Sequence, residues 1–211
     1  MMLGVWAVVV GGALLTANAL DAPVGESARD AAQPASPAPT SSAAAPGGLP
    51  PLAMVLDRAL APAIAALPPV QQVRTLRTLA TGTGDARRSV ELGSVLQLLG
   101  DGPGAEAAYR GALAKEPTSI AARVGLTLVE GAAGADGLVA GTRRMQELAR
   151  AHPRSQVVSF NQGWLEIYRR RADPARRAWL RTVTLGPRTR LGRTAAGLLA
   201  TLETGANSRN P

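Results

Sequence analysis

Apolar side chains recur every three or four positions through most of the chain after residue 50. This spacing is typical of helices that bury one face. It predicts helices at about residues 85–99, 103–115, 119–130, 155–171 and 189–202. The same spacing occurs in Leu52–Leu67 and Val70–Leu79, which Pro68-Pro69 separates, so residues 51–85 are predicted to form an N-terminal helical hairpin. The pattern as a whole predicts an all-α fold.

Three prolines show that the helical part of the chain is repetitive. Pro117, Pro153 and Pro187 lie 36 and 34 residues apart, and each closes a segment with helical spacing. The segment before Pro153 is the weakest of the three, and Asp136 is predicted to cap its second helix. Small and aromatic residues precede the other two prolines at matching offsets of 24, 12 and 8 residues: Gly93, Ala105 and Tyr109 before Pro117, and Gly163, Ala175 and Trp179 before Pro187.

These spacings resemble the tetratricopeptide repeat (TPR), a 34-residue helix–turn–helix unit. The resemblance covers roughly residues 86–204 and is weaker in the middle unit, whose first helix has no glycine in register. It implies a helical solenoid of about three repeats plus flanking helices, with close helix crossings at Gly93 and Ala105 and with Tyr109 filling the gap beside them. Residues 205–211 are predicted to be a disordered tail.

The resemblance also implies a binding groove. In peptide-binding members of the family, the first helices line a concave surface and an asparagine on them fixes the ligand backbone. Asn161 lies at a comparable place, two residues before Gly163, and its amide can both donate to and accept from a peptide group. Asn161 is equally suited to a hydrogen bond within its repeat, and Trp164 to the core. The residues predicted to line the groove are Ser94, Gln97, Asn161, Trp164 and Tyr168.

The N-terminus predicts export. Residues 1–20 are almost wholly apolar, as expected of a membrane anchor or a signal peptide. Ala17-Asn18-Ala19 has the small-residue pattern of a cleavage site, but no basic residue precedes the apolar run. Residues 21–50 are predicted to be a disordered linker rich in Ala, Pro and Ser. Either interpretation of residues 1–20 places the helical domain in the cell envelope, anchored to the membrane or released from it.

Positive charge is concentrated near the C-terminus. Nine arginines and a single acid, Asp173, lie between Arg169 and Arg193, which gives this segment the same net charge, +8, as the whole chain. Such a patch attracts anionic lipids or acidic polymers, although Arg outnumbers Lys 22 to 1 and a solvated face of compositional origin explains it as well. Nucleic acid is disfavoured for an exported domain. The residues predicted to contact anions are Arg169, Arg170, Arg171, Arg176, Arg177, Arg181, Arg188 and Arg190.

Catalytic and metal-binding patterns are missing from the sequence. The chain has no cysteine, and its one histidine, His152, directly precedes Pro153 at a predicted helix end. We therefore predict no enzyme activity, no cofactor and no metal. The sequence predicts a scaffold of the bacterial cell envelope that binds a protein or peptide partner through the groove. The alternative is a module that docks on anionic lipid or acidic polymer through the arginines.

Overall fold

The computed structural model describes residues 51–82 and 84–207 of the chain. Within these residues the chain forms helices and no strand, which confirms the predicted all-α fold. The nine helices of this part of the chain are α1 (Pro62–Ala65), α2 (Pro69–Gly82), α3 (Ala86–Leu98), α4 (Gly102–Lys115), α5 (Ile120–Gly131), α6 (Ala135–Ala151), α7 (Gln156–Tyr168), α8 (Ala172–Leu185) and α9 (Arg190–Asn207).

Polar side chains fix the starts of three helices. Asp85 accepts a hydrogen bond from the Arg87 amide at 2.8 Å at the start of α3, and Asp101 accepts one from the Gly104 amide at 2.8 Å at the start of α4. Ser155 caps α7 in the same way. Each cap satisfies an amide that has no partner inside its helix.

The predicted cap at Asp136 is wrong. Helix α6 begins at Ala135, so Asp136 lies inside its first turn, and the N-cap is Gly134. Gly134 has a φ of 95°, a conformation that glycine adopts without strain. The chain therefore turns into the helix earlier than the position of the aspartate suggests.

Neighbouring helices pack in pairs, and four of them also form a continuous row. Each helix from α2 to α8 packs against the next one in the chain, through short loops that make the pairs antiparallel. In addition, α3 contacts α5, α5 contacts α7 and α7 contacts α9, whereas no such contacts join α4, α6 and α8 within the described residues. We call α3, α5, α7 and α9 the odd-helix row.

Rings pressed against glycines set the distances within this arrangement. A Cβ atom on Gly93 would lie 2.6 Å from Cε1 of Tyr109, and one on Gly125 would lie 2.4 Å from the same atom. The buried Tyr109 ring of α4 thus fits between α3 and α5 because both helices present a glycine. At the other end, a Cβ atom on Gly163 would lie 2.2 Å from Nε1 of the Trp179 ring.

The predicted N-terminal helical hairpin at residues 51–85 is wrong in its first half. Residues 52–61 are not helical, and only the single turn of α1 forms before α2. The physical reason is that side chains of the odd-helix row bind the backbone of residues 52–56 and so replace the hydrogen bonds that a helix would supply.

The predicted ends of the chain fall largely outside the described residues. The tail predicted at residues 205–211 is wrong for residues 205–207, because α9 continues to Asn207 with no proline to interrupt it. Residues 208–211, the anchor or signal peptide at residues 1–20 and the linker at residues 21–50 lie outside the described range. Among the helices that are described, none combines the length and the apolar character needed to cross a membrane.

Candidate peptide-binding face

Residues 52–56 cross the odd-helix row from α3 to α9, and we call them the docked segment. Side chains of α3, α7 and α9 hydrogen-bond to its backbone. A helix of this length spans about 7 Å, less than the 8–10 Å between neighbouring helix axes. The docked segment therefore has to adopt an extended conformation to reach from one end of the row to the other. The four residues that bind its backbone are called the recipient face: Ser94, Gln97, Asn161 and Arg190.

Helix α3 binds the first half of the docked segment. Gln97 accepts a hydrogen bond from the Met54 amide at 3.2 Å, and its own amide donates to the Leu52 carbonyl at 3.5 Å. Ser94, one turn earlier on α3, donates to the Met54 carbonyl at 2.8 Å. These two side chains thus use the same face of α3 and satisfy both polar groups of Met54.

The Tyr109 hydroxyl holds Gln97 in place. It donates to Oε1 of Gln97 at 2.6 Å, and this oxygen also accepts the Met54 amide. Burial raises the pKa of Tyr109 well above its usual range, so its hydroxyl keeps the proton that it donates. The ring that separates α3 from α5 therefore also orients a residue of the recipient face.

Helix α7 binds the middle of the docked segment through Asn161. Its Oδ1 accepts the Val55 amide at 2.9 Å, and its Nδ2 donates to the Val55 carbonyl at 3.2 Å. The same Nδ2 donates to the carbonyl of Val157 at 2.8 Å, which fixes the rotation of the fully buried amide. Asn161 thus binds a peptide group of the docked segment and a carbonyl of its own helix, and the ligand contact that the sequence predicts for it stays a prediction.

Helix α9 binds the last residue of the docked segment. Arg190 donates from Nη1 to the Leu56 carbonyl at 2.6 Å. The sequence predicts Arg190 as an anion contact, and its spacing gives no signal for this bond to the docked segment.

The docked segment also buries apolar side chains. Leu52, Ala53 and Met54 are buried, and Val55 and Leu56 are half-buried against the core. Leu52 reaches α5, where its Cδ2 lies 3.3 Å from the position that a Cβ atom on Gly131 would take. Backbone hydrogen bonds and apolar burial thus act on the same five residues.

Two predicted groove residues lie on the same face of α7 but do not hydrogen-bond to the docked segment. Trp164 and Tyr168 follow Asn161 by one and two turns. Trp164 packs edge to face on Trp179, with ring centroids 5.6 Å apart. The Trp164 Nε1 and Tyr168 hydroxyl are buried and have no hydrogen-bond partner within the described residues. Burial raises the pKa of Tyr168 to about 12.

The arginines predicted to contact anions do not form a single cluster. Arg169, Arg170 and Arg171 precede α8, and Arg188 follows it, so a helix about 20 Å long separates them. Three more lie exposed along α8 itself: Arg176, Arg177 and Arg181. Two of the seven have acidic partners within the described residues, Glu203 for Arg176 at 3.7 Å and Glu166 for Arg171 at 3.6 Å.

A cleft lies between α5 and α6. It has a volume of about 330 Å³ and is lined by Arg123, Arg144, Glu147 and His152, among others. His152 is also the residue that ends α6, where the sequence places it. No group of His, Asp and Glu side chains in the described part of the chain is arranged to hold a metal ion.

No known family model matches the chain, and no curated protein matches its sequence. Function is therefore inferred from the recipient face and from the segment that occupies it.

Proposed function

We propose that the protein is a non-enzymatic scaffold of the bacterial cell envelope, whose recipient face binds a segment of a protein partner. The observation that carries the proposal is the pair of hydrogen bonds between Asn161 and the peptide groups of Val55. A side-chain amide that donates a hydrogen bond to one residue and accepts another from it recognises the backbone of an extended chain, whatever the side chains of that chain are. Ser94, Gln97 and Arg190 extend this recognition along the segment.

The packing supports a TPR-like solenoid as the frame of this face. Antiparallel pairs recur with the period of the prolines, and only the odd-helix row is continuous from pair to pair. Helices that approach on one side and separate on the other produce the curved surface on which solenoid proteins bind their ligands. The envelope location rests on the apolar residues 1–20 and the linker composition of residues 21–50.

Affinity capture tests the proposal. The tagged full-length chain is incubated with envelope extract, washed at high salt, and compared with an Asn161→Ala variant. We expect a defined protein to be retained by the native chain and lost from the variant. Gln162→Ala is the matched control, because Gln162 is the adjacent amide and makes no hydrogen bond to the docked segment. Equal retention by the native chain and a folded Asn161→Ala variant would exclude the recipient face as the binding site.

A second candidate function is docking on an anionic surface through α8. Arg177 and Arg181 are exposed one turn apart and have no acidic partner among the ion pairs of the described residues. Like charges at this spacing repel each other, and a bound anion would relieve the repulsion.

Vesicle sedimentation separates this candidate from the first. We expect the native chain to sediment more completely with phosphatidylglycerol vesicles than with phosphatidylcholine vesicles, and the Arg177→Gln/Arg181→Gln variant to sediment equally with both, because both proteins carry the same apolar residues 1–20. Binding should weaken steeply with salt, since the screening length falls from about 10 Å at 0.1 M to about 3 Å at 1 M. The control replaces Arg74 and Arg77, another exposed pair, on α2. An equal loss in the control would assign the effect to net charge and not to α8.

A further inference from the structure

We infer that the docked segment competes in cis with the partner, and that its own sequence shows the chemistry of the ligand. The ligand is an extended, uncharged segment with apolar side chains at the positions of Leu52 and Met54 and a small side chain between them. This inference rests on the proposed function, because it names the class of segment that the recipient face binds.

The recipient face recognises features that any such segment has. Four side chains bind the docked segment, and every hydrogen bond that they make to it goes to one of its backbone amides or carbonyls. A peptide supplied in trans offers the same groups in the same order. The face therefore offers the same bonds to a tethered segment and to a free one, and only the burial of side chains distinguishes one segment sequence from another.

Burial of its side chains determines which segments the recipient face accepts. Met54 is 2% exposed, and Leu52 and Ala53 are 8% and 7% exposed. A charged side chain at any of these positions would lose its hydration, and the polar groups around it are already engaged with the backbone. A large side chain in place of Ala53 would have to displace its neighbours. The face thus selects for uncharged segments with a small residue between two apolar ones.

The docked segment can leave the recipient face without breaking the helices. Pro51 precedes it and Asp57, Arg58 and Ala59 follow it, and all four residues are exposed. None of its backbone groups belongs to a helix. Two side chains of the recipient face also keep a partner after release, since Gln97 still accepts from Tyr109 and Asn161 still donates to the Val157 carbonyl.

The covalent connection gives the docked segment an advantage over a free partner. A segment joined through a short connection has an effective concentration in the millimolar range. A partner at lower concentration meets a face that is mostly occupied, and its apparent affinity falls in proportion to the open fraction. The native chain should therefore bind the ligand weakly until the docked segment is released.

The experiment uses a fluorescent peptide with the sequence of residues 51–56, blocked at both ends, and the full-length chain. Val55→Pro removes the amide that donates to Asn161 and leaves the recipient face intact. We expect this variant to bind the peptide at least about tenfold more tightly than the native chain does, which corresponds to an open fraction of a tenth or less. Adding Asn161→Ala to the variant should abolish binding. Ala59→Pro, in the exposed connection, is the matched control and should behave like the native chain.

A second variant and a second peptide keep the test decisive. Met54→Asp releases the docked segment by charge in case Val55→Pro fails to fold, with Ala59→Asp as its control. A peptide with Asp in place of Met54 should bind no form of the protein, and equal binding of the two peptides would overturn the proposed ligand chemistry.

Three results separate the inference from the function on which it rests. Equal affinity of the native chain and the released variant would overturn competition in cis and leave peptide binding standing. Failure of every folded form to bind the peptide would overturn the ligand chemistry, while capture that depends on Asn161 would still uphold the scaffold. A native dimer that Val55→Pro converts to a monomer would place the segment on a second copy and would also overturn competition in cis.

Discussion

Gly93 and Gly111 lie in neighbouring helices, and the structure gives them opposite roles. A Cβ atom on Gly93 would stand 2.6 Å from the Tyr109 ring, whereas one on Gly111 would have nothing within 4 Å. The first glycine is needed for a close approach, and the second only adds flexibility to α4. The same substitution should therefore change stability in opposite directions at the two sites.

We expect Gly93→Ala to lower the free energy of unfolding by about 1–3 kcal/mol, the usual cost of overpacking a core. Gly111→Ala should raise it by about 0.5–1 kcal/mol, because alanine is the better helix former. Urea unfolding followed by circular dichroism measures both. A Gly93→Ala variant as stable as Gly111→Ala would show that the Tyr109 ring does not fix the distance between α3 and α4.

The two tyrosines of the chain predict an unusual alkaline titration. Burial raises the pKa of Tyr168 to about 12 and that of Tyr109 further still. Between pH 10 and 12 the folded chain keeps protons that the unfolded chain releases, so the free energy of unfolding should fall as the pH rises through this window. Absorbance at 295 nm should show little tyrosinate in the native chain at pH 10.5 and much more in guanidine. Equal absorbance in the two states would contradict the burial of both rings.

The sequence singles out three residues of the recipient face, Ser94, Gln97 and Asn161, as groove residues, and expects a backbone contact of Asn161 alone. All three bind the backbone of the docked segment, and their contact with a partner stays a prediction. Arg190 could not be found in this way, because sequence spacing does not show which arginine of a basic stretch turns towards a neighbouring carbonyl. Trp164 and Tyr168 stay predictions as ligand contacts.

At the scale of the element, two aspartates near helix starts differ in what they stabilise. Asp101 accepts the Gly104 amide as the N-cap of α4, whereas Asp136 lies within the first turn of α6. Asp101→Ala should lower the free energy of unfolding by about 1 kcal/mol. Asp136→Ala should cost only about 0.3–0.5 kcal/mol, the contribution of a charge near the helix dipole. Thermal unfolding of the two variants tests the difference, and an equal loss would show that the cap at Asp101 adds nothing.

The docked segment should respond as a unit to the loss of Asn161. Asn161→Ala removes both hydrogen bonds to Val55, worth about 1–3 kcal/mol together. We expect amide hydrogen exchange at Val55 and Met54 to accelerate by about tenfold or more, and exchange in α4 to stay as it is. Gln162→Ala should leave all of these rates unchanged. Acceleration at Val55 alone would mean that α3 holds its half of the segment independently.

The docked segment is also the element that periodicity predicts least well. Its apolar residues have helical spacing and lie in a chain whose other segments with that spacing are helices. The spacing of apolar residues predicts which side chains are buried, and an extended segment on a helical surface can bury the same side chains as a helix. The choice between the two structures depends on the partners of the backbone, and those partners lie on α3, α7 and α9.

At the scale of the whole molecule, local patterns predict the pairs of helices and only distant contacts complete the face. Helices α3, α4, α5 and α7 fall close to their predicted bounds because each is specified by its own apolar stripe and neighbouring prolines, whereas α9 runs past its predicted end at residue 202 to Asn207. The odd-helix row follows from the stacking of these pairs. What occupies the row depends on residues far away in sequence, and no repeat motif encodes it.

That separation in sequence sets an order of events during folding. Val55 lies 106 residues before Asn161, and Leu56 lies 134 residues before Arg190, whereas each helix pair forms between neighbours. Contacts between neighbours form early, and contacts that close long loops form late. During synthesis, the segment leaves the ribosome before α3, α7 and α9 do, and it reaches its full set of partners only after α9 has been made. A chain that ends after α8 would thus have a recipient face that the docked segment covers only in part. Full docking of the segment would therefore occur only when all helices through α9 are present.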